Sequence, residues 1–398
     1  MYIVLAALLA FGILTLWIPA AWPVAGFEIG AFTLAIWAVC RIRRQPPILA
    51  YPLLPFSFAV ALGLYQLFTH RTVYAFATAQ SVVQWLTFLC VFFVATAALR
   101  EERALLHFRE AMLWFGGLVA LVATLQTFTG EGKIFWLFAV PYSEKAMGPI
   151  LSYNHYAAFI ELLLPLAIYQ ALRSKERPYP YAALAAVLYA SVIASSSRAG
   201  TILSTVGVVV VVALVYQRGL VAGRQAGIVL GRIAALLVLF TLIVGWQAVW
   251  NRLLQPDPMA FRRELDISSL HMIGDHPWIG AGLGTWPTAY PKYAVLDAGL
   301  YANQAHCDWL QWTAEGGIPF GIAMLLLFAW SLRLGFRTIW GLGIVSVFLH
   351  ACVDYPFSRP ALGSCFVVML ALLAARRAQT SNRRASPTQD LELQEHLQ

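Results

Sequence analysis

The sequence is poor in charge. Only 12% of its 398 residues are charged and 60% are hydrophobic, whereas a soluble domain carries roughly twice that charged fraction. This composition argues against a soluble enzyme of two or three domains. The formal net charge is +8, but most basic residues lie in short segments between apolar runs. That pattern is typical of membrane topology signals, so no nucleic-acid partner is expected.

Cysteine and targeting signals are also scarce. The five cysteines are scattered without paired spacing, so we expect neither a metal site nor a disulfide framework. A bridge from Cys307 to Cys352 or Cys365 is the minor alternative. The N-terminus lacks the basic segment and cleavage site of a signal peptide, so its first apolar run is expected to remain as a helix. We found no internal repeat, and we expect no cofactor.

Long apolar runs are what the sequence has in abundance. A spanning helix needs about 20 mostly apolar residues, and twelve runs approach that length: 2–19, 23–40, 48–68, 82–99, 108–128, 154–172, 181–196, 201–217, 233–250, 316–334, 338–353 and 361–375. They predict an all-α, polytopic membrane bundle of about 12 transmembrane helices over residues 1–377. This region includes a large, partly helical periplasmic loop at 251–315. The polar tail, 378–398, is predicted to be cytoplasmic and disordered.

Basic residues follow every even-numbered predicted helix. They are Arg41, Arg43, Arg44, Arg100, Arg103, Arg173, Lys175, Arg177, Arg218, Arg224, Arg232, Arg333, Arg337, Arg376, Arg377, Arg383 and Arg384. Because cytoplasmic loops carry the excess of Lys and Arg, these ends and both termini are predicted to be cytoplasmic. The 251–315 loop then lies outside a bacterial inner membrane.

Five arginines and one lysine lie on the side that normally lacks basic residues: Arg198, Arg252, Arg262, Arg263, Arg359 and Lys292. Contact with membrane lipids or with nearby acidic residues can explain each one. Arg198 is harder to explain in this way, because it lies in a short turn between helices at membrane depth, where charge is costly. Several arginines around one cavity would suit a diphosphate, since guanidinium groups bind phosphate oxygens in a bidentate manner.

The large loop contains an amphipathic segment at about 261–273. Helical spacing places three of its residues on one face: Leu265, Ser269 and Met272. Arg262 and Asp266 are spaced to pair along the helix. The GAGLGTWP turn follows, and its Gly282 and Gly284 could help to cradle a phosphate. The turn matches no nucleotide-binding fingerprint, so a tight turn that also lines the site is our interpretation.

His306 has an acidic and an aromatic neighbour close by, Asp308 and Trp309. Histidine is the side chain best suited to proton transfer near neutral pH. A histidine that bonds a backbone carbonyl at a helix start is an equally good interpretation. A metal site is less favoured, because adjacent His, Cys and Asp side chains cannot all face one ion from a helix.

Further polar residues are candidates for lining the same face of the membrane: Asn154, His155, Glu161, His350, Asp354 and Arg359. His350 and Asp354 are spaced as an i, i+4 pair, and Glu161 lies deep enough in its helix to balance an arginine. Helix capping and packing are the competing interpretation for all of them.

In this order, the motifs resemble the O-antigen ligase and polymerase superfamily of membrane glycosyltransferases. The resemblance lies in the C-terminal 60% of the chain, in YNHYAAFIELLLPLA (153–167), SSSRAG (195–200), RRELDISSLHMIGDHPWIGAGLGTWPTAYPKY (262–293), AHCDWLQWTAEGGIPFG (305–321) and HACVDYPFSRPA (350–361). The first four predicted helices carry only generic hydrophobicity.

The resemblance implies metal-independent transfer of a glycan from an undecaprenyl (polyprenyl) diphosphate donor to a hydroxyl of a lipid, a glycan or a protein. By motif position, Arg198 and either Arg262 or Arg263 would hold the diphosphate. His306 would be the general base, with Asp308 in the same catalytic motif. Position 307 departs from the family, which usually has Asn, Ser or Gln where this chain has Cys307. The departure puts the acceptor or the level of activity in doubt.

Two other functions compete with glycan transfer. Twelve helices with both ends inside are common in transporters, so a transporter or a flippase of lipid-linked glycans is the alternative. Transporters usually show two related halves with interrupted helices, and we found no such symmetry. A relative that only binds polyprenyl glycans is the third reading, to which Cys307 gives some weight.

Overall fold

A computed structural model describes residues 1–41, 50–141, 146–174, 178–220, 260–295 and 302–385, with six isolated positions between 227 and 242. Within these ranges the regular structure consists of helices, without a strand. The helices are α1 (Tyr2–Leu14), α2 (Trp22–Arg41), α3 (Leu53–Phe68), α4 (Ala75–Ala98), α5 (Glu102–Thr129), α6 (Tyr153–Arg173), α7 (Pro178–Ser195), α8 (Arg198–Gln217), α9 (Ala260–Asp275), α10 (Trp286–Tyr293), α11 (Asp308–Thr338), α12 (Leu342–His350) and α13 (Pro360–Ala385).

The predicted spans agree with these helices in position. Each has a counterpart except 233–250, which lies almost entirely outside the described residues. Seven described helices are long and apolar enough to cross a membrane, and three shorter ones, α1, α3 and α7, are also apolar. The total of about 12 spans stays a prediction. The last helix continues to Ala385, beyond the expected start of the tail at 378, and residues 386–398 lie outside the described part.

Two helices form the centre of the bundle. In α6, 89% of the spanning segment is buried, and in α13, 83%. Helix α6 packs against α7, α8 and α12, while α13 packs against α4 and α1. By contrast, only 22% of the spanning segment of α8 is buried, and its Ile202 and Val209 are exposed. Polar side chains on α6 are therefore enclosed by protein, because its neighbours separate them from lipid.

Several basic residues that follow the predicted helices lie together at one end of the bundle. Arg376 lies 3.6 Å from Glu102, and Arg218 donates to the Arg337 carbonyl oxygen at 2.9 Å. Arg173 and Arg337 line one cavity together with Arg376. This agrees with a common orientation for these helix ends. The basic residues Arg43, Arg44, Lys175, Arg177, Arg224 and Arg232 lie outside the described ranges.

The loop forms its own small core around α9. Leu265, Ser269 and Met272 are fully buried, which confirms the predicted amphipathic face. The Ser269 hydroxyl accepts a hydrogen bond of 2.9 Å from the indole N–H of Trp286. Helix α9 ends one residue after Gly274. The described part of the loop is therefore a packed unit on the bundle.

Glu315 of α11 holds the glycine-rich turn through hydrogen bonds. The Gly284 N–H donates to one Glu315 carboxylate oxygen at 2.8 Å, and the Trp286 N–H donates to the other at 3.2 Å. The Gly282 N–H donates to the Glu315 carbonyl oxygen at 3.1 Å. These amides already have protein acceptors, so the hypothesis that they cradle a phosphate is wrong for this conformation.

Gln66 of α3 also forms hydrogen bonds with the glycine-rich turn. Its side-chain oxygen accepts from the Leu283 N–H at 2.9 Å, and its amide donates to the carbonyls of Ile279 and Glu315 at 2.7 and 2.9 Å. Gln66 is fully buried. One residue of a membrane helix therefore satisfies several backbone groups of the loop, which ties the loop to the bundle.

Two glycines allow the loop and α11 to touch through their backbones. Gly317 breaks the α11 helix at φ 76° and ψ 173°, and a Cβ there would lie 2.5 Å from the Trp278 carbonyl. Gly280 also has φ 76°, and a Cβ there would overlap the Glu315 carbonyl. A side chain at either position would be strained by the backbone angle and by the contact.

We predict that Gly280→Ala destabilises the protein by about 1–3 kcal/mol, because the methyl group meets backbone atoms that cannot rotate away. Thermal unfolding in detergent would measure the loss. Gly274→Ala is the matched control, since nothing lies within 4 Å of its Cβ position. Equal melting temperatures for the two variants would contradict the close approach.

Candidate functional site

Asp354 lies at the centre of a polar cluster at the other end of the bundle. The Asn154 amide nitrogen is 3.5 Å from its Oδ1, and Nε2 of His155 is 3.5 Å from its Oδ2. Nδ1 of His306 is 4.0 Å from Oδ1. The Asp354 side chain is only 2% exposed. Among the acidic residues that were candidates for this site, Asp354 is thus the one beside the His306 imidazole.

Ser197 connects this cluster to the beginning of α8. Its hydroxyl donates to the Asn154 side-chain oxygen at 2.7 Å and accepts from the Gly200 N–H at 3.2 Å, as an N-cap. Ser196 has a positive φ of 55°, which turns the chain from α7 into α8. Arg198 is the first residue of α8. The cap therefore places Arg198 and His306 at the same end of the bundle, through Ser197, Asn154 and Asp354.

Tyr355 lies between two histidines. Its ring centroid is 4.7 Å from that of His155 and 4.8 Å from that of His306, both nearly perpendicular to it. Such edge-to-face contacts hold rings in a fixed orientation. Burial, together with the charge of Asp354, raises the pKa of Tyr355 to about 12. The phenol therefore stays neutral and supports the imidazole mechanically.

His306 occupies a strained position. Its φ is 55°, a left-handed conformation that is uncommon outside glycine, although Asn, Asp and His tolerate it better than most. Its side chain is 29% exposed, whereas its Nδ1 is buried beside Asp354. The accessible edge is therefore the one that carries Nε2. Strain of this kind is common at functional sites.

Burial lowers the pKa of His306 below its ordinary value, and the positive charge of Arg262 lowers it further, against the opposing effect of Asp354. The imidazole is therefore neutral at pH 7 and has a lone pair available to accept a proton. The charge of Arg262 also acts on Tyr355.

The structure distinguishes between the two adjacent loop arginines. Arg262 is half-buried and its charge reaches the His306 imidazole, whereas Arg263 is exposed. Arg262 also acts on Asp266, as the helical spacing predicted, although burial dominates and raises the pKa of that carboxyl. Arg359 is exposed, and its charge acts on Tyr355. Arg262 is therefore the loop arginine with the stronger connection to the cluster.

Asp308 has a supporting position. Its side chain is buried and accepts from the Phe357 N–H at 3.2 Å. Its own N–H donates to the carbonyls of Ala351 and Asp354 at 2.9 and 3.2 Å. Asp308 thus fixes the segment that carries Asp354. The catalytic role of Asp308 stays a prediction, and the contacts of its carboxylate with backbone show that it also positions this segment.

Cys307 is the N-cap residue of α11, and its thiol makes no cap hydrogen bond. Serine and asparagine are strongly preferred at this position because their side-chain oxygens accept from the first free N–H groups of a helix. Burial raises the pKa of the Cys307 thiol to about 12, so it stays protonated. The resemblance placed Asn, Ser or Gln here, and the fold offers a capping reason for that preference.

Glu161 and His350 form a separate buried pair. Oε1 of Glu161 lies 2.7 Å from Nδ1 of His350, and the Ser346 hydroxyl donates to Oε2 at 2.8 Å. Glu161 therefore balances a histidine and not an arginine as expected. Helix α12 ends at His350, so Asp354 lies beyond the helix that carries His350. This pair joins α6 to α12 below the Asp354 cluster.

Several contributors were missed by the sequence analysis. Ser197, Glu315 and Tyr355 lie within the motifs of the sequence, and Gln66 lies outside them. The serine directly before Arg198 is a recognisable N-cap signal. Gln66 had no signal, since its partners lie more than 200 residues away in the sequence.

The described ranges hold neither a clustered set of metal ligands nor a disulfide. Within them, no group of three His, Cys, Asp or Glu side chains is arranged to hold a metal ion. The five cysteines are free thiols, so the Cys307 bridge considered as a minor alternative is not formed.

Apolar helices around a buried polar cluster at one end define a polytopic helical membrane protein. Residues 182–326 match the sequence profile of the O-antigen ligase family. This match over part of the chain supports the predicted resemblance to the O-antigen ligase and polymerase superfamily, and the long apolar helices are consistent with a membrane protein. No curated protein matches the sequence significantly. The matched segment contains Arg198, Arg262 and His306, while Asn154 and Asp354 lie outside it.

We predict opposite pKa shifts of His306 in two variants. Asp354→Asn removes a negative charge that stabilises the imidazolium, so the pKa falls further. Arg262→Gln removes a positive charge, so the pKa rises. A pH titration of the histidine ring signals by NMR, assigned with His306→Asn, would measure both. Shifts in the same direction would contradict the arrangement.

We predict that Cys307→Ser stabilises the protein by about 0.5–1 kcal/mol, because the hydroxyl caps α11 where the thiol does not. Thermal unfolding would show a higher midpoint. Cys352→Ser, a change of the same chemistry at an exposed cysteine outside the described helices, is the control and should leave the midpoint unchanged. A lower midpoint for Cys307→Ser would argue against the N-cap assignment.

Proposed function

We propose that this protein transfers a glycan from a polyprenyl diphosphate donor to an acceptor hydroxyl, as an O-antigen ligase or polymerase would. The family supports a membrane glycan-transfer role in polysaccharide assembly. The observation that carries the proposal is the chain of contacts that links the Arg198 helix start, through Ser197, Asn154 and Asp354, to His306.

The donor diphosphate would be held by Arg198 and Arg262. As the bond between the sugar carbon and the phosphate oxygen breaks, negative charge develops on the leaving diphosphate. Guanidinium groups fixed beside it would stabilise that charge in the transition state. Arg198 begins a membrane helix and Arg262 lies on the loop helix, so the two would approach the diphosphate from the membrane and from the loop.

His306 would activate the acceptor. Its accessible Nε2 edge would take the proton of the hydroxyl as the oxygen bonds to the sugar carbon, and Asp354 would stabilise the resulting imidazolium. The lowered pKa of His306 keeps the base neutral before the reaction. Hydroxyls of a lipid, a glycan or a protein would all meet this requirement.

We also propose that the Asp354 cluster faces the periplasm and that both termini face the cytoplasm. The support is that the basic exits around Arg376 and Arg218 gather at the end opposite to the cluster, and cytoplasmic ends carry the excess of basic residues. The donor's lipid keeps it in the bilayer, so a site at the membrane face suits it. A transporter would instead be expected to bind near the midplane.

Transfer in proteoliposomes with a polyprenyl diphosphate-linked glycan tests this function. We expect Arg198→Gln and His306→Asn to lose about 100-fold or more of the rate, as is typical for removed charge stabilisation or general base catalysis. Asparagine is chosen for position 306 because it tolerates the positive φ. Product would be quantified by mass spectrometry.

Arg262→Gln and Arg263→Gln form a matched pair in the same assay. The first should lower the rate by about tenfold or more, and the exposed second should change it by less than about twofold, as expected for an exposed charge. Unchanged transfer by both Arg198→Gln and His306→Asn would remove the mechanism. Uptake or flipping that survives His306→Asn, without any transfer, would favour the transporter.

A further inference from the structure

A large cavity lies at the basic end of the bundle, far from the Asp354 cluster along α6 and α11. Its volume is about 930 Å³, and it is formed by the ends of α5, α6, α7, α11 and α13. Five arginines line it: Arg109, Arg173, Arg337, Arg376 and Arg377. They come from four different helices, so the tertiary fold, and not one basic run, brings them together.

The acidic residues nearby do not balance this charge. Glu102 is the carboxylate among the lining residues, and it lies 3.6 Å from Arg376. The next residue that could contribute, Glu110, is held by the Tyr181 hydroxyl at 2.8 and 2.9 Å and by the Trp114 indole at 2.6 Å. Five arginines against one glutamate leave a formal charge of +4 on the lining. Like charges gathered beside a membrane repel each other unless an anion lies between them.

Arg109 does not lie at the end of its helix. It lies about two turns inside α5, and its guanidinium carbon is 5.8 Å from the centroid of the Trp340 ring. Its Nε is buried without a hydrogen-bond acceptor among the described residues. A topology signal needs only an exposed charge at a helix exit, as Arg103 provides. The inward position of Arg109 calls for another explanation, which an anion in the cavity supplies.

The cavity is also partly apolar. Leu105, Leu106, Leu334 and Leu373 line it beside the arginines. Leu106 is 45% exposed, on a helix that the sequence marks as membrane-spanning. A ligand that fits both features has a phosphate for the guanidinium groups and hydrocarbon for the leucines.

We propose that this cavity binds the phosphate headgroup of an anionic phospholipid from the adjacent leaflet. Guanidinium groups bind phosphate oxygens in a bidentate manner, and basic pockets between membrane helices attract anionic headgroups. The leucines favour a lipid over free phosphate, because they would contact the beginning of the acyl chains. The bound phosphate would relieve the repulsion among the five arginines of four helices and so stabilise the bundle. This site is independent of the proposed glycan transfer, which uses residues at the opposite end.

The test compares two double variants on the same helices. Arg109→Gln with Arg337→Gln removes two cavity charges, from α5 and α11. Arg103→Gln with Arg333→Gln removes two charges from the same helices outside the cavity. Each protein in detergent is titrated with phosphatidylglycerol, cardiolipin, phosphatidylcholine or inorganic phosphate. Thermal unfolding and native mass spectrometry report binding.

For the wild type and the control double variant, Arg103→Gln with Arg333→Gln, we expect the anionic lipids to raise the melting temperature and to remain bound in the mass spectrum. Phosphatidylcholine should do neither. The double variant Arg109→Gln with Arg337→Gln, the cavity pair, should bind the anionic lipids about 100-fold more weakly, because each lost charge-assisted bond costs about tenfold in affinity. Inorganic phosphate should bind at least about tenfold more weakly than the lipids, because it lacks the acyl contacts.

Unchanged affinity in the cavity pair, or equal binding of phosphatidylcholine, would overturn the proposal. Inorganic phosphate that binds as tightly as the lipids would identify a soluble ligand and overturn the lipid assignment. If the cavity pair does not fold, the single variant Arg337→Gln, at an exposed position, should still show about tenfold weaker binding. Transfer activity is measured in parallel for every variant. A loss of transfer in His306→Asn concerns the proposed glycan-transfer site alone and does not bear on lipid binding in the cavity.

Discussion

A carboxylate among apolar helices needs donors or positive charge around it, because its desolvation is otherwise costly. In this protein that constraint acts at Asp354, which is buried and close to Asn154, His155 and His306. These partners come from a membrane helix and from the loop, two parts of the chain far apart in sequence. The loop histidine and the side chains of a membrane helix thus meet at one buried carboxylate. The arginine at the start of α8 joins the same assembly through the Ser197 cap.

The loop can hold His306 there because it is tied to the bundle by buried polar side chains. Glu315 and Gln66 occupy the backbone groups of the glycine-rich turn, and Gly280 and Gly317 let the two backbones touch. The glycines therefore serve close packing, while the charge for a diphosphate comes from arginine side chains. A rigid support of this kind suits a base that has to meet both a lipid-linked donor and an acceptor.

The two ends of the bundle differ in the arrangement of their charged side chains. At the Asp354 end, acidic, amide and imidazole groups lie close together in a compact cluster. At the other end, five arginines surround an open cavity with one glutamate. Helices α6 and α11 run through both regions, with Asn154 and Asp308 at one end and Arg173 and Arg337 at the other. The first arrangement suits proton transfer, and the second suits an anionic ligand.

By itself, the sequence determined the helical membrane class, the position of most spans and the amphipathic face of α9, because apolar length and helical periodicity are local properties. Motif order also indicated the family and the importance of Arg198 and His306. Only the tertiary structure decided that Asp354 and not Asp308 accompanies His306, that Glu161 pairs with His350, and that Gln66 holds the glycine turn. These contacts join residues tens to hundreds of positions apart, and local pattern carries no information about which distant partner satisfies a buried polar group.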